Sequence, residues 1–106
     1  MGRTYGDDEL NAIWDKTSST CAYCEKQLAF TNHGTCEDDP RPRGSWEVDH
    51  DIPRARCESK AVCEDFKNLF PACCDCNDEK ATMTGSEYIK WRETEGLRTN
   101  PRIKVP

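Results

Sequence analysis

The sequence predicts one small, cysteine-rich α+β domain with a helix at its N-terminal end and another at its C-terminal end. Two short segments with strand character lie between the predicted helices. Eight cysteines occur in 106 residues, although only 35% of the residues are hydrophobic. A domain of this size buries a low fraction of its surface, so we expect metal or disulfides to supply part of its stability.

The N-terminal helix is predicted in DDELNAIWDKT, residues 7–17. Leu10, Ile13 and Trp14 are spaced i, i+3 and i+4, which places them on one face of a helix. The acidic residues stand at the N-terminal end, where the helix dipole favours negative charge.

The C-terminal helix is predicted in TGSEYIKWRETEG, residues 84–96. Thr84 and Glu87 have the spacing of a capping box, and Gly96 is a typical helix end. We expect the large apolar side chains of this helix to belong to the core: Tyr88, Ile89 and Trp91.

The two strands are predicted in SWEVDHDIP (residues 45–53) and NLFPAC (residues 68–73). In the first segment Trp46 and Val48 alternate with Glu47 and Asp49, a period-2 pattern that ends near Pro53. The turn-rich residues 31–44 and the polar residues 54–67 are predicted to be loops, and CNDEKATM to begin a helix.

The net charge of −5 argues against indiscriminate binding to nucleic acid, which usually shows as a basic field. The charge is uneven, since residues 37–66 hold nine acids and five bases, and residues 67–106 hold six acids and seven bases. The end of the chain carries three bases and no acid: Arg98, Arg102 and Lys104. This basic strip is compatible with phosphate binding, and equally with a solvated tail.

The polar start MGRTYGDDEL has no secretory signal, and no apolar run approaches the length of a membrane span. We therefore expect a cytoplasmic protein with no membrane partner, whose thiols stay reduced and bind metal. A disulfide scaffold is the alternative, if the chain has been cut from a longer precursor.

Two cysteine pairs predict a structural zinc site. Cys21 and Cys24 form one Cys-x-x-Cys knuckle, followed by a short strand or hairpin, and Cys73 and Cys76 form another. Each knuckle can give two thiolates to one tetrahedral zinc ion. The pair Cys74-x-Cys76 is an alternative, but the two-residue spacing suits a knuckle better.

The remaining cysteines are less informative. A second zinc site could use four residues: His33, Cys36, Cys57 and Cys63. Separate buried or surface thiols are the alternative interpretation. Cys74 has no predicted role.

Polar residues accompany these elements in a specific order. Asp49 and His50 adjoin at a strand end, Asn68 opens the next strand, and Asn77 directly follows the last knuckle cysteine. With the Cys21/Cys24 pair, the motifs EVDHDIP, NLFPAC and CCDCNDEK resemble the HNH endonuclease family, whose core is a ββα-metal finger. The resemblance covers about residues 9–83 of a single domain, 1–106, and leaves the C-terminal helix and basic tail, 84–106, outside it.

The resemblance implies a metal-dependent endonuclease that hydrolyses phosphodiester bonds in DNA. His50 would be the general base, and Asn68 would orient the His50 loop by hydrogen bonding. Asp49 and Asn77 would hold one divalent ion, Mg²⁺ or Mn²⁺, through oxygen ligands. Many family members carry His where this chain has Asn77, which leaves the metal preference open.

Three cations are candidates for phosphate contact: Lys80, Arg54 and Arg56. Their alternative interpretation is that of ordinary exposed charges. The alternative to the nuclease as a whole is a non-catalytic zinc-binding module for nucleic acid or protein, which the negative net charge favours.

Overall fold

Two antiparallel strands form the sheet at the centre of the computed structural model, which describes residues 5–101. The strands are β1 (Trp46–His50) and β2 (Leu69–Cys73). Within the described range the chain also forms four α-helices: α1 (Asp7–Asp15), α2 (Lys60–Cys63), α3 (Cys74–Lys80) and α4 (Gly85–Thr94). The predicted α+β class is confirmed, with the predicted order of the two strands and of the terminal helices.

The strand pairing sets the position of the polar residues at the end of β1. Trp46 pairs with Cys73 and His50 pairs with Leu69. Trp46 is fully buried, and its indole N–H donates to the carbonyl of Ala29 at 2.9 Å. The far end of the sheet therefore carries His50, beside the start of β2.

The predicted alternation along β1 is only partly correct. Val48 is half-buried, whereas Asp49 is buried. A carboxylate tolerates burial only when it has hydrogen-bonding or charged partners, and Asp49 receives them from Tyr23 and Lys80. The period-2 pattern could not show this, because both partners come from other parts of the chain.

Helix α1 ends two residues before the predicted limit. Leu10 and Ile13 are buried as predicted. Ser18 and Ser19 then adopt positive φ angles of 52° and 65°, which turn the chain out of the helical path and into the first knuckle. The short strand or hairpin predicted after that knuckle is present only as an isolated antiparallel bridge between Thr20 and Gln27, which flank the knuckle.

The prediction of a plain loop over residues 54–67 is wrong. This segment contains helix α2 and two 3₁₀ turns, Arg54–Arg56 and Phe66–Asn68. The Ser59 hydroxyl accepts a hydrogen bond from the N–H of Val62 at 3.2 Å and so caps α2. A segment this polar lacks the apolar periodicity by which short helices are recognised.

Helices α3 and α4 complete the fold. Helix α3 begins at Cys74, directly after β2, rather than at Cys76. The predicted capping box of α4 is present, and Tyr88 is fully buried. Trp91, predicted to be core, is 37% exposed and stacks on the ring of Tyr88.

Part of the C-terminal segment is attached to the first knuckle. Asn100 is buried, and its side-chain amide donates to the carbonyl of Cys21 at 2.8 Å. Arg98 pairs with Glu25 at 2.9 Å. The other two bases of the predicted basic strip, Arg102 and Lys104, lie outside the described residues. None of the helices in the described part of the chain is both long and apolar enough to cross a membrane.

Candidate metal centre and candidate active site

A group of four cysteines could hold a metal ion such as zinc. The sulfur atoms all lie within 4.8 Å of one another: Cys21, Cys24, Cys73 and Cys76. Cys24 Sγ and Cys73 Sγ are 3.7 Å apart, far beyond the ~2.05 Å of a disulfide. Tetrahedral zinc with Zn–S bonds of ~2.3 Å places neighbouring sulfurs about 3.8 Å apart, so the observed spacing fits this ion.

Three hydrogen-bond donors approach the sulfurs of this group. The N–H of Tyr23 donates to Cys21 Sγ at 3.4 Å, and the N–H of Cys76 donates to Cys73 Sγ at 3.5 Å. The Arg92 guanidinium lies 3.8 Å from Cys76 Sγ. Hydrogen bonds among the four thiols lower the pKa of Cys24 and raise the pKa of Cys73 and Cys76, because the negative charge is shared unequally within the group. Thiolates are the form in which cysteine binds metal.

The four-cysteine group connects parts of the chain that are distant in sequence. One knuckle follows α1, while the other spans the junction of β2 and α3. The group contains Cys73 rather than Cys74, as predicted from the two-residue spacing. Instead, Cys74 forms a disulfide with Cys36, which joins the loop before β1 to the start of α3.

The residues of the predicted second zinc site are not assembled together. Cys36 is bonded to Cys74 and Cys57 to Cys63, so the expectation that these thiols stay reduced is wrong for the structure described. His33 packs its ring against Trp46, with centroids 4.8 Å apart, and burial lowers the pKa of its imidazole. The prediction of this second zinc site was wrong because cysteines in loops can form disulfides with partners that sequence spacing does not indicate.

A cavity of about 440 Å³ lies beside the end of β1. Asp49, His50 and Asn77 all line it, together with three further acids: Glu37, Glu47 and Asp78. Burial, reinforced by Glu37, raises the pKa of Glu47. The surplus of carboxylates gives this cavity a negative field, which suits a cation better than a free anion.

Asp49 has two partners of its own. The Tyr23 hydroxyl donates to Oδ2, and Lys80 Nζ lies 3.3 Å from the same oxygen. Burial raises the pKa of Asp49, against the opposing effect of the Lys80 charge. Burial also raises the pKa of Tyr23 well above its usual value, so its hydroxyl stays protonated and remains a donor.

Lys80 is fully buried, so the alternative interpretation of it as an exposed charge is wrong. Besides Asp49, its ammonium group reaches the carbonyl oxygen of His50 at 2.7 Å. It therefore holds the backbone at the end of β1 from the side of α3. A direct contact to phosphate would require this side chain to leave an internal ion pair.

His50 has a carboxylate partner that sequence reasoning missed. Its Nε2 atom lies 3.2 Å from Oε1 of Glu64, and both side chains are mostly buried. Arg54, on the rim of the cavity, also reaches Glu64, at 3.5 Å. Glu64 follows α2 in the segment predicted to be a loop, and no local pattern marks it as a partner of a residue fourteen positions earlier.

The side chain of Asn68 makes three hydrogen bonds around the turn that follows His50. Its Oδ1 accepts from the N–H of Ile52 at 2.8 Å, and its Nδ2 donates to the carbonyls of Ile52 at 3.1 Å and Cys63 at 2.9 Å. These bonds tie the turn after His50 to the end of α2. The side chain orients this loop by hydrogen bonding, while its part in a reaction stays a prediction.

The two arginines predicted to contact phosphate differ in their surroundings. Arg54 lines the cavity and is half-exposed. Arg56 pairs with Glu87 on α4 at 2.5 Å, and this hydrogen bond lowers the pKa of Glu87 to about 2. Of the two, only Arg54 therefore adjoins the cavity formed around His50.

Comparisons with protein-family models, curated proteins and solved structures gave no match. Membership of the HNH family stays a prediction from the sequence motifs.

Proposed function

We propose that this protein is an HNH-type, metal-dependent endonuclease that hydrolyses phosphodiester bonds in DNA. One observation carries the proposal: Asp49, His50 and Asn77 line the same cavity. The first two come from the end of β1 and the third from α3. A candidate base beside oxygen ligands for a hard cation is the arrangement that phosphodiester hydrolysis needs.

In this proposal His50 takes a proton from the attacking water. Glu64, an acceptor when ionised, lies next to Nε2 and favours the tautomer that keeps the proton there. Nδ1 is then the nitrogen with a free lone pair. Glu64 is thus a positioning residue, which fixes the ring and selects the basic nitrogen.

Two further residues hold the backbone around the base. Asn68 binds the turn that follows His50, and Lys80 binds the carbonyl of His50 itself. A base that must lie within hydrogen-bond reach of a water requires a rigid support, because small displacements reduce the rate. Both residues contribute by restricting where the imidazole lies.

The oxygen donors of Asp49 and Asn77 fit a hard divalent cation such as Mg²⁺ or Mn²⁺, and the neighbouring acids add negative charge. When bound, the ion would supply electrostatic stabilisation of charge on the scissile phosphate and the leaving oxygen. Asp49 would have to share its carboxylate with Lys80, whose positive charge opposes that of the ion. We therefore expect weak binding of the cation, at millimolar rather than micromolar concentrations.

The four-cysteine group has a separate role in the proposal, as a structural zinc site. One tetrahedral ion would use all four sulfurs and leave no open position for substrate. The ion would hold the first knuckle against the start of α3, which carries Asn77. Zinc would thereby position a candidate ligand of the second cation without taking part in the reaction.

A plasmid-nicking assay with added Mg²⁺ or Mn²⁺ tests the proposal. We expect the wild-type protein to nick DNA, and His50→Ala and Asn77→Ala to lose most of this activity. Asn11→Ala, an exposed residue on α1, is the matched control and should cut like the wild type. Equal cutting by His50→Ala and the wild type would remove His50 from the mechanism. An RNA substrate of the same sequence tests the choice of DNA, since the proposal expects the DNA to be cut in preference.

The second candidate is a non-catalytic zinc module that binds nucleic acid or protein. It is favoured by the buried pair of Asp49 and Lys80, in which the lysine gives the carboxylate a positive partner without any metal ion. In that case DNA or a partner would be retained without cleavage in any divalent metal. His50→Ala would then leave the binding affinity unchanged.

A further inference from the structure

A second cluster of metal-binding side chains lies outside the four-cysteine group. The ligand atoms of His50, Cys63 and Glu64 all lie within 4.8 Å of one another. The cluster combines an imidazole, a sulfur and a carboxylate, which together suit zinc and similar transition metals. Cys63 is buried and the side chains of the other two residues are mostly buried, so a bound ion would be largely shielded from water.

The distances are compatible with a tetrahedral ion. Zinc bonds of ~2.0–2.1 Å to nitrogen and ~2.0–2.2 Å to oxygen place these two ligands about 3.3–3.5 Å apart. The observed separation of His50 Nε2 and Glu64 Oε1 is 3.2 Å. A metal ion could therefore replace the proton between them with little movement of either side chain.

The sulfur of Cys63 can bind a metal ion in only one of its two redox states, because Cys63 is bonded to Cys57 in the structure. A disulfide sulfur is not the thiolate that zinc requires. We propose that His50, Cys63 and Glu64 form a second zinc-type site that exists only when the Cys57–Cys63 disulfide is reduced. The fourth position would be left to water, as in zinc sites with three protein ligands.

The step that opens the site is a thiol–disulfide exchange. A dithiol reductant gives two electrons and two protons, and the Cys57–Cys63 bond breaks to give two thiols, while the dithiol becomes a cyclic disulfide. Cys63 then releases its proton to solvent as its thiolate binds the ion. The reaction thus needs only the reductant and the metal ion.

The surroundings of the cluster allow Glu64 to exchange its contact with Arg54 for one with a metal ion. Arg54, which also contacts Glu64, is half-exposed and can turn toward solvent when a cation takes its place. Asn68 donates to the carbonyl of Cys63, which keeps this residue in place after the disulfide opens. The metal would bind both Nε2 of His50 and the carboxylate that orients it.

This site has a consequence that rests on the proposed nuclease function. An ion on His50 would remove the influence of Glu64 on the tautomer and place a positive charge beside the proposed base. Zinc would then inhibit the reduced protein and leave the oxidised protein active. The metal site itself does not depend on that function, because it is measured as bound zinc.

Zinc stoichiometry of the intact chain tests the site by native mass spectrometry. The oxidised wild type should bind one zinc ion, in the four-cysteine group. Cys57→Ser frees Cys63 while the Cys36–Cys74 disulfide stays closed, so this variant should bind two ions without reductant. The double variants Cys57→Ser/Glu64→Gln and Cys57→Ser/Cys63→Ser should return to one.

One ion in a folded Cys57→Ser variant would overturn the proposal, as would two ions in either double variant. If Cys57→Ser does not fold, the same count is made on wild type and Glu64→Gln after mild reduction. There we expect one more zinc in the wild type than in Glu64→Gln, and equal counts would overturn the site. A nicking assay on the same samples is scored separately, so loss of the nuclease hypothesis would not alter the result for zinc.

Discussion

The ammonium group of Lys80 lies 3.3 Å from Oδ2 of Asp49, with the lysine side chain fully buried and the aspartate almost so. The pair links the end of α3 to the end of β1, and the lysine also binds the carbonyl of His50. A buried ion pair contributes little net stability compared with apolar groups, but the loss of one partner leaves an uncompensated charge. Lys80 therefore supports both the fold and the candidate site.

Lys80→Met should destabilise the protein by about 3–5 kcal/mol, because Asp49 would lose its positive partner in a buried position. Urea unfolding followed by fluorescence measures this. Lys60→Met, at an exposed position of α2, should change the stability by less than about 0.5 kcal/mol. Asp49→Asn/Lys80→Met should be more stable than Lys80→Met alone, and a double variant as unstable as the single would contradict the explanation.

Glu64→Gln should lower the nicking rate by about 10–100-fold, the effect typical of removing the partner that orients a functional histidine. The amide can donate or accept at Nε2, so it no longer selects the tautomer. The pH profile of the rate should also shift, which loss of fold alone would not produce. Glu58→Gln, an exposed residue of the same segment, serves as the control and should retain the wild-type rate.

Removal of zinc should unfold the domain, because the four-cysteine group joins elements that the small core alone holds weakly. A strong chelator is expected to abolish the helical circular dichroism signal, and zinc should restore it. Withdrawal of Mg²⁺ should instead stop cutting and leave the spectrum unchanged. A folded, zinc-free protein would rule out a structural role for the ion.

The two disulfides should contribute unequally. Loop-closure entropy predicts about 4 kcal/mol for Cys36–Cys74, which closes a separation of 38 residues, and about 2 kcal/mol for Cys57–Cys63, with a separation of 6. Cys36→Ser/Cys74→Ser should therefore lower the unfolding free energy more than Cys57→Ser/Cys63→Ser. The reverse order in oxidised protein would show that loop length does not govern their effect.

Acidification should weaken the fold through His33. Burial lowers the pKa of this imidazole, so the unfolded chain binds the proton more readily than the folded one. The stabilising contribution is present above about pH 6.5, the usual histidine pKa, and is lost as the pH falls toward the lowered folded value. His33→Leu should show a smaller stability loss between pH 7.5 and 5.5 than the wild type, measured by urea unfolding at each pH.

Local sequence patterns predicted most of the secondary structure, but not the contacts between side chains that are distant in sequence. Capping residues and apolar spacing placed α1 and α4, because those signals lie within the helix itself. The two-residue spacing identified the four cysteines that lie together and could hold a metal ion, since each knuckle is a local turn. Helix α2 was missed because it is short and polar, and the burial of Asp49 was missed because its partners are remote.

The amino-acid sequence by itself therefore determined the α+β class, the order of the elements and the two cysteine knuckles, all of which depend on neighbours in the chain. Only the tertiary structure decided which side chains meet: Lys80 with Asp49, Glu64 with His50, and Cys74 with Cys36. These contacts span 31, 14 and 38 positions. Their formation depends on how β1, α2 and α3 pack. A pattern confined to a few consecutive residues does not predict that packing.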